Sequence, residues 1–331
     1  MKAARLLEIK RPLQIQEVPL PEAGANEVVI EVEAAALNRR DYWITQGLYP
    51  NIQLPCTLGS DACGTVITTG EGVTPDWNGK AVVVNPGLDW GPSEKCQSEA
   101  FRILGMPDDG TLAQRLVIPV ELLSHKPTHL SPVEAAALPL AGVTAFRALF
   151  SQGRMQPGQK VLISGIGGGV ACLALQFAKA AGATVFVSSS SKDKIAKAMG
   201  LGADAGFLYT EDHWQRQAPE VDLVIDGAGG PGYNQLMSVV KPGGIIVNYG
   251  ATAGPPRDLD LFKIFWKQIH IVGSTMGSPR DFSEMLNFVE SHKIKPIVDA
   301  VYPLEEVNKA LEHMGRSSQF GKSAILMDPK A

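Results

Sequence analysis

At 331 residues the chain has room for two domains, each with its own core. With 30 Lys and Arg against 34 Asp and Glu its net charge is −4, which leaves no basic surplus to hold nucleic acid or a membrane surface. No apolar run approaches membrane-spanning length, and Met1–Glu8 lacks the apolar stretch of a secretory signal, so a cytoplasmic protein acting on a small molecule is expected. Cys56, Cys63, Cys96 and Cys172 are scattered without paired spacing, as in a reduced protein without disulfides.

The first hundred or so residues read as β-rich. Leu13–Val18 and Glu27–Glu33 alternate apolar and polar side chains, the pattern of half-buried strands, between Pro19, Pro21 and Gly24. Gly64–Thr69 and Ala81–Asn85 continue the pattern, with turns at Gly70, Gly72 and Gly79. Leu88–Asp109 is irregular, rich in Gly, Pro and charge, and reads as a surface lobe. Ser131-Pro132-Val133-Glu134 is a capping box with proline at the first helical position. From there strand and helix alternate: Val161–Ser164, Val170–Ala181, Thr184–Ser188, Asp193–Gly200, Asp222–Asp226, Tyr233–Val240, Ile245–Tyr249 and His270–Ser274. Such alternation predicts a parallel sheet of about six strands wrapped by helices. After Gly277 come helices at 282–291 and 304–314 and strands at 297–301 and 323–327, a tail able to return to the N-terminal domain.

The densest chemistry lies between Lys160 and Lys194. A β-branched strand runs into Gly165, Gly167, Gly168 and Gly169, then Val170 and a helix closed by Gly182. Bare amides at a helix start favour a pyrophosphate, which assigns this loop to a dinucleotide. The next strand ends at Ser188-Ser189-Ser190, where a carboxylate for the ribose 2′-hydroxyl of NAD would stand. Small hydroxyls leave room for a 2′-phosphate instead, and Lys194 is a countercharge, so NADPH (NADP+) is the expected cofactor. Ser189, Ser190 and Lys194 should surround that phosphate, although such residues also read as a solvated helix start. Tyr209, ending the following strand, is a wall for adenine. Gly250, Ala251 and Thr275 lie on later strand ends facing the same crevice, Thr275 equally being ordinary sheet surface.

Seven segments in order resemble the medium-chain dehydrogenase/reductase superfamily, in its zinc-free, quinone-oxidoreductase-like branch. They begin at Ala36-Leu-Asn-Arg-Arg-Asp-Tyr-Trp with Gly47-Leu-Tyr-Pro, Leu58-Gly-Ser-Asp-Ala-Cys-Gly and Ala137-Leu-Pro-Leu-Ala-Gly-Val-Thr. The glycine loop, Val224-Ile-Asp-Gly-Ala-Gly-Gly, Lys241-Pro-Gly-Gly and Gly273-Ser-Thr-Met-Gly complete them. The resemblance implies an α/β fold: a Rossmann-type doubly wound parallel sheet (135–276) inserted into a GroES-like β-rich barrel domain (1–134 plus 277–331). It also implies a homodimer joined through the strand at His270, and it places Thr144 near the nicotinamide.

The positions matching the zinc ligands of metal-dependent members hold Asn38, Ser60 and Leu140, and the lobe that carries four clustered cysteines in those relatives has only Cys96. None of the three is a thiol or imidazole, so no metal is expected. Cys56 and Cys63 have no histidine near in sequence, and Pro127 keeps His125 and His129 off one helical face. Without a Lewis acid, alcohol oxidation is disfavoured and hydride transfer to a quinone or an α,β-unsaturated carbonyl is the expected reaction. Asn38 is the candidate hydrogen-bond donor to the substrate oxygen or nicotinamide, or a helix cap. Asp41 would orient the local backbone or Arg39 and Arg40, which also read as surface ion-pair residues. Tyr49 is a candidate proton source or a loop-packing residue. Two rival readings stay open: a ζ-crystallin-like NADPH-binding protein with a structural or interaction role, and an enoyl-thioester reductase.

Overall fold

The computed structural model describes residues 1–327. The chain divides into two compact units, one formed by Met1–Ala141 with the segment from Ser278 onward, the other by Gly142–Gly277. The first division falls inside a helix, Pro139–Phe146, a few residues beyond the change of character at Ser131. No helix among the described residues is long and apolar enough to cross a membrane.

The first unit is organised by the strand Glu27–Ala36, whose Val28, Ile30 and Val32 alternate into the core. It pairs antiparallel with Asp61–Thr69 along one side. On the other side Arg115–Pro119 flanks its first half, and Lys322–Leu326 flanks Ala34–Ala36. The last strand of the described chain therefore completes the N-terminal sheet, and Val298–Pro303 pairs beside it in parallel. A small second sheet orders Gln14–Glu17, Lys2–Leu6 and Cys56–Thr57. One core unites both ends of the sequence: Leu6, Ile30, Leu58 and Leu112 pack with Val307, Leu311 and Ile325. Each such fully buried aliphatic side chain contributes about 1.5–3 kcal/mol relative to exposure, so the tail is integral to this unit. In the lobe, Trp90 is buried edge-on against Phe101, 5.2 Å between ring centres, and its Nε1–H reaches the Ser93 carbonyl at 2.8 Å.

The second unit carries a six-stranded parallel sheet: β1 (Lys160–Ile163), β2 (Thr184–Ser189), β3 (Ala205–Leu208), β4 (Val221–Asp226), β5 (Val240–Asn248) and β6 (His270–Gly273). Their spatial order is β3-β2-β1-β4-β5-β6, the doubly wound order that reverses direction between β1 and β4. Helix α1 (Gly169–Ala180) follows β1 and α2 (Lys192–Gly200) follows β2. β5 begins earlier than its apolar run suggests. The strand expected from Ile245 starts at Val240, and the ladder to β4 is carried past Lys241-Pro-Gly-Gly by a register shift between Val221 and Leu223. A helix at Leu261–Lys267 was not evident from the sequence. It is short, and its large apolar residues face solvent: Leu261, Phe262, Phe265 and Trp266 are 61–72% exposed. Hydrophobic periodicity finds helices through their buried face, and this one buries none of its residues.

Candidate active site

In the second unit, the glycine loop takes the form its residue types allow. Gly165 and Gly167 lie at φ +62° and +127°, the region that L side chains resist. Ile166 between them is buried, and its N–H bonds the Ser188 carbonyl at 2.8 Å, tying the loop to the end of β2. Gly168 caps α1 without any side-chain partner for the helix amides, and a Cβ there would meet no atom within 4 Å. Gly169 and Val170 supply the first helical amides. An open helix start with bare N–H groups fits a pyrophosphate.

The remaining cofactor candidates of this unit follow the carboxyl ends of the strands, except Thr144, which is buried in the helix Pro139–Phe146. Ser189 ends β2, is buried, and its Oγ accepts the Ser191 N–H at 3.2 Å. Ser190 is exposed, and Ser191 caps α2 by accepting the Lys194 N–H. The first carboxylate after β2 is Asp193, exposed in the first turn of α2. Tyr209 follows β3, is 45% exposed, and its N–H bonds the Ser189 carbonyl at 3.1 Å. Gly250 and Ala251 follow β5, Thr275 follows β6, and all three are exposed.

At the switch between β1 and β4 lies a polar network that sequence reasoning missed. Ser164 Oγ donates to Asp226 Oδ1. The same carboxylate accepts from the Ala228 N–H (3.2 Å), the Gly229 N–H (2.9 Å) and Asn248 Nδ2 (2.9 Å). Tyr233 closes the chain by donating to Asn248 Oδ1 at 2.5 Å. Burial pushes the Asp226 carboxyl up, against the pull of these donors. Burial, with Asp226 nearby, also pushes the Tyr233 phenol up to about 12. The network holds the turn Gly227–Gly230 at the carboxyl end of the sheet. Its signal in the sequence was the Asp-Gly-Ala-Gly-Gly segment, whose acid is wholly buried.

In the first unit, Asn38 precedes the helix Arg39–Thr45. Asp41 Oδ2 accepts the Asn38 backbone N–H at 2.7 Å, and Oδ1 accepts the Gly59 N–H at 3.2 Å. Asp41 thus orients backbone rather than Arg39 or Arg40 side chains. It is fully buried, and burial raises its pKa, partly opposed by Arg40 and Lys322. Asn38 and Asp41 stand in the reciprocal arrangement of a capping box at this helix start, while the hydrogen bonds of the Asn38 side chain run to more distant partners. Its Nδ2 donates to Asp61 Oδ2 at 2.9 Å, and its Oδ1 accepts from Lys322 Nζ at 2.5 Å. Lys322 Nζ also donates to Asp61 Oδ2 at 2.8 Å, and Asp61 Oδ1 accepts the Leu140 N–H at 2.8 Å. Lys322 is 5% exposed and Asp61 is 0% exposed, a burial such groups reach only when paired.

Arg40 is buried, not a surface ion-pair residue, and donates to Ser60 Oγ (2.9 Å) and to the carbonyls of Leu104 (2.8 Å) and Met106 (3.1 Å). Ser60 Oγ in turn donates to the Leu104 carbonyl at 2.7 Å. Tyr49 lies with its ring 5.2 Å from the Arg40 guanidinium carbon and packs against the core. Lys322 gave no local signal: it stands 284 residues from Asn38 and 261 from Asp61.

These groups do not suit a metal ion. Asn38 Oδ1 and Asp61 Oδ2 both face an ammonium, Ser60 is bound to Arg40 and a carbonyl, and Leu140 offers its side chain no donor atom. Among the described residues no group of three or more His, Cys, Asp or Glu side chains is placed to hold one. Cys56 and Cys63 are buried, and burial pushes both thiols up to about 12. His125 stacks on Trp77 and His129 bonds the Ile294 carbonyl.

Residues 24–128 match the alcohol dehydrogenase GroES-like domain family, and 169–291 match the family described as zinc-binding dehydrogenase. The chain is 38% identical to the zinc-type alcohol dehydrogenase-like protein YogA of Leptosphaeria maculans, over 98% of this chain and 97% of that one. It is 31% identical to an acryloyl-coenzyme A reductase of Sulfurisphaera tokodaii, covering 99% and 100%. A crystal structure of an NAD-dependent alcohol dehydrogenase superposes with a TM-score of 0.94 at 34% identity, covering 99% and 100%. By its two matched domains, its full-length relatives and its fold, the chain is an oxidoreductase-type member of the medium-chain dehydrogenase/reductase superfamily.

Proposed function

We propose that this protein is an NADPH-dependent reductase that transfers hydride, without a bound metal, to a quinone or an α,β-unsaturated carbonyl. The observation that carries the reading is the Lys322–Asp61–Asn38 cluster, which engages in side-chain pairing Asn38, the residue at one of the positions that hold zinc ligands in metal-dependent relatives. When bound, NADPH supplies the hydride that adds to the far carbon of the conjugated system, and the electron pair collects on the carbonyl oxygen. A proton then completes the product, a saturated carbonyl from the enone or a hydroquinone from the quinone. Asn38 supplies a neutral donor for that oxygen, and Asp41 holds the backbone from which it projects. Gly165 to Val170 cradle the pyrophosphate, and Ser189, Ser190 and Lys194 take the 2′-phosphate. The acryloyl-coenzyme A reductase likeness favours a second acceptor, an enoyl thioester, reduced by the same conjugate addition.

The test is NADPH oxidation with chelator present against an ortho-quinone, a linear enone and an enoyl thioester, with NADH alongside. Chelator-resistant turnover of any of the three supports the reading and names the acceptor. Turnover that appears only with added zinc and an alcohol refutes it. We also infer that two copies associate through β6 and the exposed helix Leu261–Lys267. An open sheet edge beside Phe262, Phe265 and Trp266 is an apolar surface that calls for cover.

A further inference from the structure

We propose that Lys322 is a positioning residue that fixes and polarises the Asn38 carboxamide, supplying from within the chain the positive charge that a metal supplies elsewhere; this rests on the reductase reading. The sheet register brings the two together. Ala324 pairs with Ala36 antiparallel and the Leu37 N–H bonds the Ser323 carbonyl, so two residues further along Lys322 stands across from Asn38. An ammonium can only donate and an ionised carboxylate can only accept. Oδ1 of Asn38 must therefore face Lys322 and Nδ2 must face Asp61, as the distances of 2.5 and 2.9 Å record. Nδ2 keeps a second hydrogen, and that is the donor left for a substrate oxygen. A cation at Oδ1 draws electron density from the amide nitrogen and strengthens that donor. Asp61 keeps the ammonium buried by pairing with it, and the Leu140 N–H at Oδ1 holds Asp61 in place. Without Lys322 the carboxamide oxygen loses its cationic partner, and Asp61 alone is left to hold the amide.

Two readouts test this. The first is turnover with NADPH and whichever acceptor the protein reduces. Lys322→Met should lower kcat about 10–100-fold with the KM for NADPH unchanged, in the range typical of groups that orient a reacting residue. Lys322→Arg, which keeps the charge and the donors, should recover most of it. In an Asn38→Ala background Lys322→Met should change kcat less than about twofold, because residues acting as one unit are not additive. Equal losses in both backgrounds overturn the proposal. The second readout is the Asn38 side-chain amide signal of nitrogen-15-labelled protein, identified by its loss in Asn38→Asp. It should be a single dispersed pair in the wild type and move in Lys322→Met, where only Asp61 still holds the amide; an unchanged signal overturns the proposal whatever the activity. Should Lys322→Met fail to fold, Lys322→Met with Asp61→Asn removes both charges together and is read against the same outcomes. A wild type that reduces no acceptor defeats the reductase reading, and the amide signal still decides the role of Lys322.

Discussion

Replacing Asp226 tests the polar network at the switch between β1 and β4. Its carboxylate accepts from Ser164 Oγ, the N–H groups of Ala228 and Gly229, and Asn248 Nδ2. In Asp226→Ala the Ser164 hydroxyl can rotate to another acceptor, but the two backbone amides and the Asn248 amide are stranded. These donors are partly buried, so each falls toward the lower end of the about 1–3 kcal/mol that a stranded buried donor costs, and three cost about 3 kcal/mol. Asp226→Asn behaves differently. Its amide nitrogen can turn toward Ser164 and donate to that hydroxyl, stranding only the Ala228 N–H, for about 1–2 kcal/mol. Urea unfolding at neutral pH, with slope and midpoint both fitted, should order the proteins as wild type, then Asn, then Ala. The pH dependence has a definite sign. Burial holds the folded Asp226 carboxyl above its ordinary value of 3.8, so protonation favours the folded wild type. The wild-type advantage over Asp226→Ala should therefore widen as pH falls from neutral through the folded pKa toward 3.8. An Ala variant within about 1 kcal/mol of wild type, or an Asn variant less stable than Ala, would refute the reasoning.

Ser189→Asp puts a carboxylate at the end of β2 and should shift preference from NADPH toward NADH by about tenfold or more, some 1.4 kcal/mol, measured as the ratio of the two dissociation constants; an unchanged ratio removes Ser189 from the 2′-phosphate site. Of the four thiols, Cys96 is exposed and the others are buried, with Cys56 and Cys63 pushed up to about 12. A thiol reagent at pH 8 should therefore modify one cysteine per chain rapidly and the rest only on unfolding. Trp266→Glu places a charge on the exposed aromatic helix and should convert a dimer to monomer in sedimentation at micromolar concentration. A wild type that is already monomeric there disposes of the dimer.

What the sequence determined is whatever neighbouring residues decide between themselves. The glycine loop was legible because Gly165 and Gly167 answer to local backbone conformation, and the strand-helix alternation from Val161 to Ser274 because a period is a local property. The capping box at Ser131 and the lack of a carboxylate at Ser188–Ser190 were legible for the same reason. The helix Leu261–Lys267 escaped, since its apolar residues face outward. The composition of the first unit's polar cluster could not be read at all. Asn38 stood out as a substituted ligand position, but its partners were fixed by antiparallel pairing of Glu27–Ala36 with Asp61–Thr69 and with Lys322–Leu326. A lysine in a short strand carries no mark of burial until a distant carboxylate is brought against it. Sequence sets which groups are present and how each segment bends; only the tertiary register decides which charges meet out of water, and there Lys322 and Asp61 together settle which way Asn38 turns its oxygen and its nitrogen.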